Sequence, residues 1–462
     1  VAEFSITRCP HQGREPEQAL ERHLGAAAGE KALLLAVPWE MEQYWLPDKA
    51  HLSLSALYLL EPGRAAEAAV LPASTEIPAV LTGPSPREAL LKWLHSVESS
   101  LFSSAEPLAL CPAEVPKPWG RELWYTGIEE RGVSLLAAPG GRPGLPLPQL
   151  LEALPKRIAG GQPRRQVLLK ILDPLPEEVY GDLYFELHEE KREVYVMLRA
   201  EPTAWPDGQG RIRLGFNRAE RKKYEDDNAF RAAFLTAVQD YEAVRRRIDR
   251  VFDQYRQQEG HAENTPLPAA LLRRWQRRLP AALNTLEEEK RRAMERFSEL
   301  QLLAPGEVVR VPRRTPHALQ HGVRVVEFQT PVYERQIISF AQKVLTQEYW
   351  DSEEAVRRMD LDAPREPPQL LEEGAGVRVE CIADFEDFQA RRICLEAGAA
   401  HRLGTGDYAA VAIAALGSLS LGDCTLAAEE ACLLPAAWPG DILRNTGKSS
   451  AILLVAVPRE KA

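Results

Sequence analysis

The sequence predicts a mainly β protein of two β-barrel units, with a helical insertion in the first and an added α/β region at the N-terminus. Three observations carry this. Runs rich in branched and aromatic residues recur from 121 to 215, as strands do. Between about 217 and 300 the apolar period lengthens to three or four residues, the spacing of amphipathic helices. After 375, short strand-like runs separated by Gly and Asp turns continue through the remaining residues.

In residues 1–110, LLLAV (33–37) and LSLSALYLL (52–60) read as strands. PREALLKWLHSVESSLF (86–102) reads as a helix with Leu90, Leu91, Leu94, Val97 and Leu101 on one face. No chemistry is visible in this first domain. The Pro- and Ala-rich stretch 105–120 reads as a linker into a second domain, 111–362. Its strands are QVLLKIL (166–172), LYFELH (183–188) and EVYVMLRA (193–200). Phe230, Phe234, Val238, Tyr241, Val244, Ile248, Phe252 and Tyr255 then mark one helix, and a second is expected over about 268–302. The basic run 245–250 reads as a solvated helix face. Strands return at 307–312 and 323–328, and IISFAQKVLTQEYW reads as helix-like. Residues 360–374 read as a linker to a third domain, 363–462, whose EEACLLPAAWPGD shares a loose layout with GEVVRVPRRTPHA in the second.

The 462 residues are 45% hydrophobic and 27% charged, which excludes a disordered chain, a collagen and a small disulfide scaffold. No apolar run of about 18 residues predicts a membrane helix, and the opening VAEFSITRCPHQG does not read as a signal peptide. The net charge of −10 argues against nucleic-acid binding through a broad basic face and requires a local basic pocket for any anion. Six cysteines without a CxxC pair fit free thiols in a reducing cytoplasm, although one pair among the four in the last hundred residues could be bridged.

The sharpest chemistry lies in ELHEEKREVYVML. Glu186 and His188, two residues apart on a strand, point to one face. A polar turn, Glu189 to Arg192, could reverse the chain into a hairpin and bring Glu193 to the same face. The other half is GEVVRVPRRTPHALQHG, where His317 follows a Pro-bounded turn. Two histidines and two carboxylates suit one divalent metal ion, zinc first, with manganese, iron and cobalt still open.

Both halves resemble the two cupin motifs. The first runs HxH, three or four residues, Glu; here it is Glu186-x-His188, four residues, Glu193. The second runs Gly, five residues, PxGxxH, three residues, Asn; here it is Gly306, five residues, Pro312-x-Arg314-x-x-His317, three residues, His321. Within the cupins, residues 115–462 resemble the type I mannose-6-phosphate isomerases. KPWGRELW (117–124), LLKILDPL (168–175), LYFELH, KREVYVML and TPHALQHGVRVVEFQTPVYERQ follow the family's segments in order. The resemblance implies a jelly-roll metal cupin interrupted by helices, followed by a metal-free cupin. It implies metal ligands at Glu186 (where the family has Gln), His188, Glu193 and His317, and it implies Lys191 and Arg335 in the active site. The HPD sequence after the first His is missing, and Glu186 adds a negative charge beside the metal.

An aldose–ketose isomerisation moves a proton between adjacent carbons through an enediolate, so it needs a carbonyl polariser, a base and a cation. Arg335 and Lys191 are the catalytic candidates, with Arg335 and Lys170 as substrate-binding cations. The base stays open between Glu190, Lys191 and a metal-bound hydroxide. The expected substrate is a small sugar or sugar phosphate. The alternatives are a non-catalytic sugar-binding or regulatory cupin and an iron-using cupin oxygenase. His401, the single His of the last unit, reads as structural.

Overall fold

The computed structural model describes residues 2–10, 13, 15–26, 32–138, 143–263, 265–362, 366–404 and 406–460. The chain is mainly β, with 38% strand and 23% helix. It falls into two compact units.

One unit comprises Glu114–Leu123 and Lys170–Pro367. Its first sheet runs in the order Val308–Val311, Glu193–Ala200, Val323–Gln329, Leu168–Pro174, Gly120–Trp124, Ala113–Lys117. Its second runs Ser298–Leu303, Gly210–Phe216, His317–Leu319, Phe185–Leu187, Gln336–Ser339. Tyr195, Met197 and Val325 of the first sheet and Ile212, Leu214 and Ile337 of the second share one buried apolar core. Alternation along each strand supplies these inward rows.

The helical insertion leaves the second sheet after Gly210–Phe216 and returns to it at Ser298–Leu303, two strands that pair with each other. Asp227–Gln258 is capped by Asp226, whose side chain accepts the Ala229 N–H. Its Phe230, Phe234 and Val238 enter the same core, where Phe234 meets Phe185, Phe216 and Phe297 edge-on or tilted. The single helix expected over about 268–302 is instead two, Ala269–Arg278 and Ala281–Glu295, followed by the strand Ser298–Leu303. Pro280 explains the break, because it cannot donate to the preceding turn and presets the start of the next helix. The helix-like IISFAQKVLTQEYW is also corrected. Ile337 and its neighbours pair with Phe185–Leu187, and β-branched residues favour that ladder.

The other unit comprises Val1–Ala113, Trp124–Leu169 and Pro368–Ala462. A six-stranded sheet, order Val80–Gly83, Ala2–Arg8, Leu33–Glu42, His51–Leu60, Glu67–Pro72, Phe102–Ser103, packs with the helix Pro86–Ser96 around Leu57, Leu90 and Leu94. A nine-stranded sheet joins Pro143–Pro146, Leu135–Ala137 and Leu108–Cys111 to Ala431–Leu434, Ala410–Leu416, Ala451–Pro458, Phe388–Leu395, Val377–Asp384 and Gln369–Gly374. A four-stranded sheet, Ala400–Leu403, Asp441–Asn445, Leu419–Leu421, Cys424–Leu426, shares its core.

Both expected linkers contain strands. Leu108–Cys111 and Ala113–Lys117 lie within 105–120, and Gln369–Gly374 lies within 360–374, of which 363–365 fall outside the described residues. Among the described residues, no helix is long and apolar enough to cross a membrane. All six cysteines are free thiols.

Candidate metal centre

The strand Phe185–Leu187 lies between His317–Leu319 and Gln336–Ser339. Glu186 and His317 are paired across the first of these ladders. Glu193 comes from the opposite sheet, where it pairs with Val311 and Gln329. The expected hairpin between 183–188 and 193–200 is therefore corrected: the segment Glu189 to Arg192 crosses from one sheet to the other. Backbone hydrogen bonds hold the crossing. The Glu189 and Glu190 N–H groups donate to the Glu334 carboxylate at 2.9 and 3.3 Å, and the Arg192 N–H donates to Thr330 Oγ1 at 3.1 Å.

Ligand atoms of Glu186, His188 and His317 lie within 4.8 Å of one another. Nε2 of His188 is 3.8 Å from Glu186 Oε1 and 3.4 Å from Glu193 Oε1, and Nε2 of His317 is 3.1 Å from Glu193 Oε2. The two imidazoles sit 5.3 Å apart between centroids. Each Nδ1 is engaged by a backbone carbonyl, that of Glu334 for His188 (2.8 Å) and that of Thr315 for His317 (3.0 Å). This leaves both Nε2 atoms turned toward the carboxylates, the arrangement in which metal-binding histidines are held. Nε2 of His188 and Oε2 of Glu186 are buried and make no hydrogen bond. Buried polar atoms are normally paired, so two orphaned donor atoms in one cluster fit a cation. The four residues present suit a divalent ion.

The electrostatics match this crowding. Burial, with Lys191 adding repulsion, holds the His188 imidazole well below its usual range. Burial would raise the Glu193 carboxyl, but Lys191, then His188 and His317, hold it well down. Burial works against a charged His317, but its hydrogen bond to Glu193 outweighs this and raises it.

The turn that delivers His317 departs from its motif in a visible way. Arg314 stands at the Gly position and keeps the left-handed backbone, φ +60°. Its N–H donates to the His188 carbonyl at 2.6 Å, so the two histidine segments are tied together directly. His321, at the motif's last position, has its Nδ1 2.7 Å from Asp182 and its ring stacked on Trp205.

Lys191 and Arg335 both reach the cluster. Lys191 Nζ is 2.6 Å from Glu193 Oε1. Arg335 Nε is 4.0 Å from Glu186 Oε2, its guanidinium lies 4.5 Å over the Tyr184 ring, and Nη2 donates to Thr346 at 2.8 Å. Lys170 is buried and donates to Gln329 Oε1 at 2.6 Å, with Glu122 and Glu327 carboxylates at 3.7 and 3.9 Å. Glu190 is exposed.

Sequence reasoning missed the polar interior beside the cluster. Tyr195 donates to Glu193 Oε2 at 2.6 Å and pairs with Glu327 across the ladder. Burial pushes the Glu327 carboxyl well up despite the nearby Lys170. Lys117 and Glu122 form a buried ion pair at 3.1 Å. The available signal was alternation. Glu193, Tyr195 and Met197 share one face, as do Val325, Glu327 and Gln329, and a charged residue on an otherwise apolar inward row is unusual.

No family model and no curated protein matches the chain. Solved structures do. The mannose 6-phosphate isomerase from Bacillus subtilis matches with a TM-score of 0.51 and 16% identity, over 76% of this chain and 99% of that one. The apo form of mannose 6-phosphate isomerase from Salmonella typhimurium matches with a TM-score of 0.51 and 13% identity, over 77% of this chain and 100% of that one. At these identities the likeness concerns architecture, and the chain has the cupin-like fold that these two isomerases share.

Proposed function

We propose that the protein is a metal-dependent aldose–ketose isomerase acting on mannose 6-phosphate and fructose 6-phosphate or a related sugar. The observation that carries this is the convergence of Glu186, His188, Glu193 and His317, with His188 Nε2 and Glu186 Oε2 buried there without a hydrogen bond. The fold likeness supports it. A divalent cation on these four residues, zinc by the donor set, would supply Lewis acidity to the sugar carbonyl.

The remaining work falls to the chain's own residues. One C–H bond of the sugar breaks and another forms on the adjacent carbon, so negative charge builds on oxygen between the two events. Arg335 and Lys191 stand beside the ligand carboxylates, where they can offset that charge and hold a phosphate. Tyr184 stacks under Arg335 and fixes the plane of its guanidinium. Lys170, held by Gln329, supplies further positive charge within the interior. Six free thiols suit a reducing cytoplasm.

A second reading, a sugar-binding cupin without turnover, is favoured by one feature. Both cations already lie near carboxylates of the cluster, Lys191 at Glu193 and Arg335 at Glu186. Elemental analysis of the purified chain, with a coupled isomerase assay on hexose 6-phosphates, separates the two. Bound metal with turnover is the expected result. Arg335→Ala should then depress turnover by about two orders of magnitude, as loss of one oxyanion donor does, with metal content unchanged. Near-normal activity in that variant would remove the catalytic role of Arg335. Wild type without turnover would favour the binding reading.

A further inference from the structure

The nine- and four-stranded sheets enclose a cavity of about 340 Å³ that is separate from the cluster described above. Along the strand Phe388–Leu395, residues Gln389, Arg391, Ile393 and Leu395 alternate and so share one face. Ile393 and Leu395 belong to the apolar core between the sheets, and Gln389 and Arg391 carry the same row onward into the cavity. The register sets Val455 opposite Arg391 and Val457 opposite Gln389. His401 and Arg402 line the space from the four-stranded sheet, and Arg459 follows the strand Ala451–Pro458.

Arg391 and Arg402 are both exposed, so their guanidiniums stand at the open side of the cavity, within reach of an anion that enters it. The charge balance of this cavity is one-sided. Arg459 is paired with Asp384 at 2.5 Å, and His401 Nδ1 lies 3.8 Å from Glu372. Arg391 gives its Nε to Gln389 Oε1 at 2.8 Å, and Arg402 reaches only the Pro439 carbonyl, at 3.5 Å. Among the described residues, neither Arg391 nor Arg402 has a carboxylate partner, and no carboxylate lines the cavity. On a chain of net charge −10, such a concentration of positive charge is a local feature that favours an anion.

We propose that this cavity binds a small phosphorylated molecule. The two uncompensated guanidinium forks match phosphate oxygens in geometry and charge. Val379, Ile393, Val455 and Val457 form an apolar wall against which a short carbon skeleton can pack. The volume lies at the lower end of the roughly 300–1,000 Å³ of small-molecule sites, which suits a ligand the size of a hexose monophosphate. The site shares no residue with the metal cluster, so its ligand is bound apart from the proposed substrate.

The test is calorimetric titration of the full chain with inorganic phosphate and with glucose 6-phosphate. It is run on wild type, on Arg391→Ala/Arg402→Ala and on His317→Ala, with thermal melts checking that each variant is folded. Saturable binding should persist in His317→Ala and weaken at least about tenfold in the double variant, the scale of losing one charge-assisted pair. Glucose 6-phosphate should bind more tightly than inorganic phosphate, because only it reaches the apolar wall. Binding that survives the double variant but vanishes in His317→Ala would assign it to the metal cluster and overturn the proposal. Absence of saturable binding by either probe in wild type would overturn it too, and equal affinity for the two would overturn the claim that a carbon skeleton is recognised.

Discussion

Glu186 and His317 face each other as partners across one antiparallel ladder, although the whole helical insertion lies between them in sequence. Such partners have side chains about 4.5–5.5 Å apart on the same face. The insertion does not disturb this register because it enters and leaves through two strands that are themselves paired, Gly210–Phe216 and Ser298–Leu303. The first of these also pairs with His317–Leu319. Glu186 and His317 are thus brought together by neighbouring ladders of a single sheet.

The first prediction concerns His317. Replacing it with alanine removes a donor atom but leaves the backbone pairing of His317–Leu319 with both neighbours. Stoichiometric metal should be lost, with affinity lowered at least about 100-fold, the upper end of what even indirect supports of a metal cost when removed. Elemental analysis measures the metal, and far-ultraviolet circular dichroism should remain that of the wild type. Unchanged metal content would mean that His317 is a hydrogen-bonded interior histidine and no ligand.

The second prediction concerns Arg314, the residue held at φ +60° in the turn before His317. A left-handed backbone costs a non-glycine residue about 1–2 kcal/mol. Its ion pair with Asp360, 3.3 Å and half exposed, offsets little of this. Arg314→Gly removes the strain and adds some freedom to the unfolded chain. The variant should be more stable by about 0.5 kcal/mol, read as a raised urea midpoint at constant slope. A lowered midpoint would show that the arginine side chain contributes more than the backbone strain costs.

Much of this site was legible because strand alternation and motif spacing are local properties. Glu186 and His188 could be assigned to one face from strand periodicity, and His317 was legible as the other half of the site from its Pro-bounded turn and motif spacing, but not as a partner on that face. What could not be read was which sheet each strand joins. Glu193 was expected through a hairpin, yet it arrives from the facing sheet, because Glu334 and Thr330 capture the connecting backbone. Those partners lie far along the chain, so no local pattern announces them. The pairing of Leu108–Cys111 with Ala431–Leu434 escaped for the same reason. The Pro- and Ala-rich text around the first strand carries a turn signature that the tertiary ladder overrides. Pro280 was a plain local signal, and its break in the helix was readable.

The third prediction uses pH. Asp173 accepts hydrogen bonds from Arg324 at 2.6 Å and Arg121 at 2.8 Å. Burial raises its carboxyl, but these two guanidiniums outweigh burial and hold it below its usual range. A carboxyl lowered on folding stabilises the protein fully above its unfolded value of about 3.9, and that contribution is lost as pH falls through the lower folded value. Asp173→Asn should therefore cost about 1 kcal/mol at neutral pH, and the gap to wild type should narrow on acidification below the ordinary carboxylate range. Urea midpoints at neutral and acid pH measure this. A gap independent of pH would show that the loss is one of packing.

The fourth prediction turns on the negative charge at Glu186. Its Oε1 lies 3.8 Å from His188 Nε2, and its Oε2 lies 4.0 Å from Arg335 Nε. One carboxylate therefore sits against both a histidine of the cluster and the Arg335 guanidinium. With a metal bound, that carboxylate lowers the positive potential felt by an incoming phosphorylated sugar and competes for Arg335. Glu186→Gln keeps the shape and an oxygen donor while removing the charge. At an effective dielectric near 20, one unit charge about 8 Å from another is worth on the order of 2 kcal/mol before screening. Added salt reduces this further, so kcat/KM for a hexose 6-phosphate should rise by about three- to tenfold. The gain should appear mainly in KM and shrink at high ionic strength, since it comes from charge rather than shape. The metal must be kept saturating, because the amide is the weaker ligand. A fall in kcat/KM under saturating metal would reverse the interpretation and make the Glu186 carboxylate a participant in proton transfer.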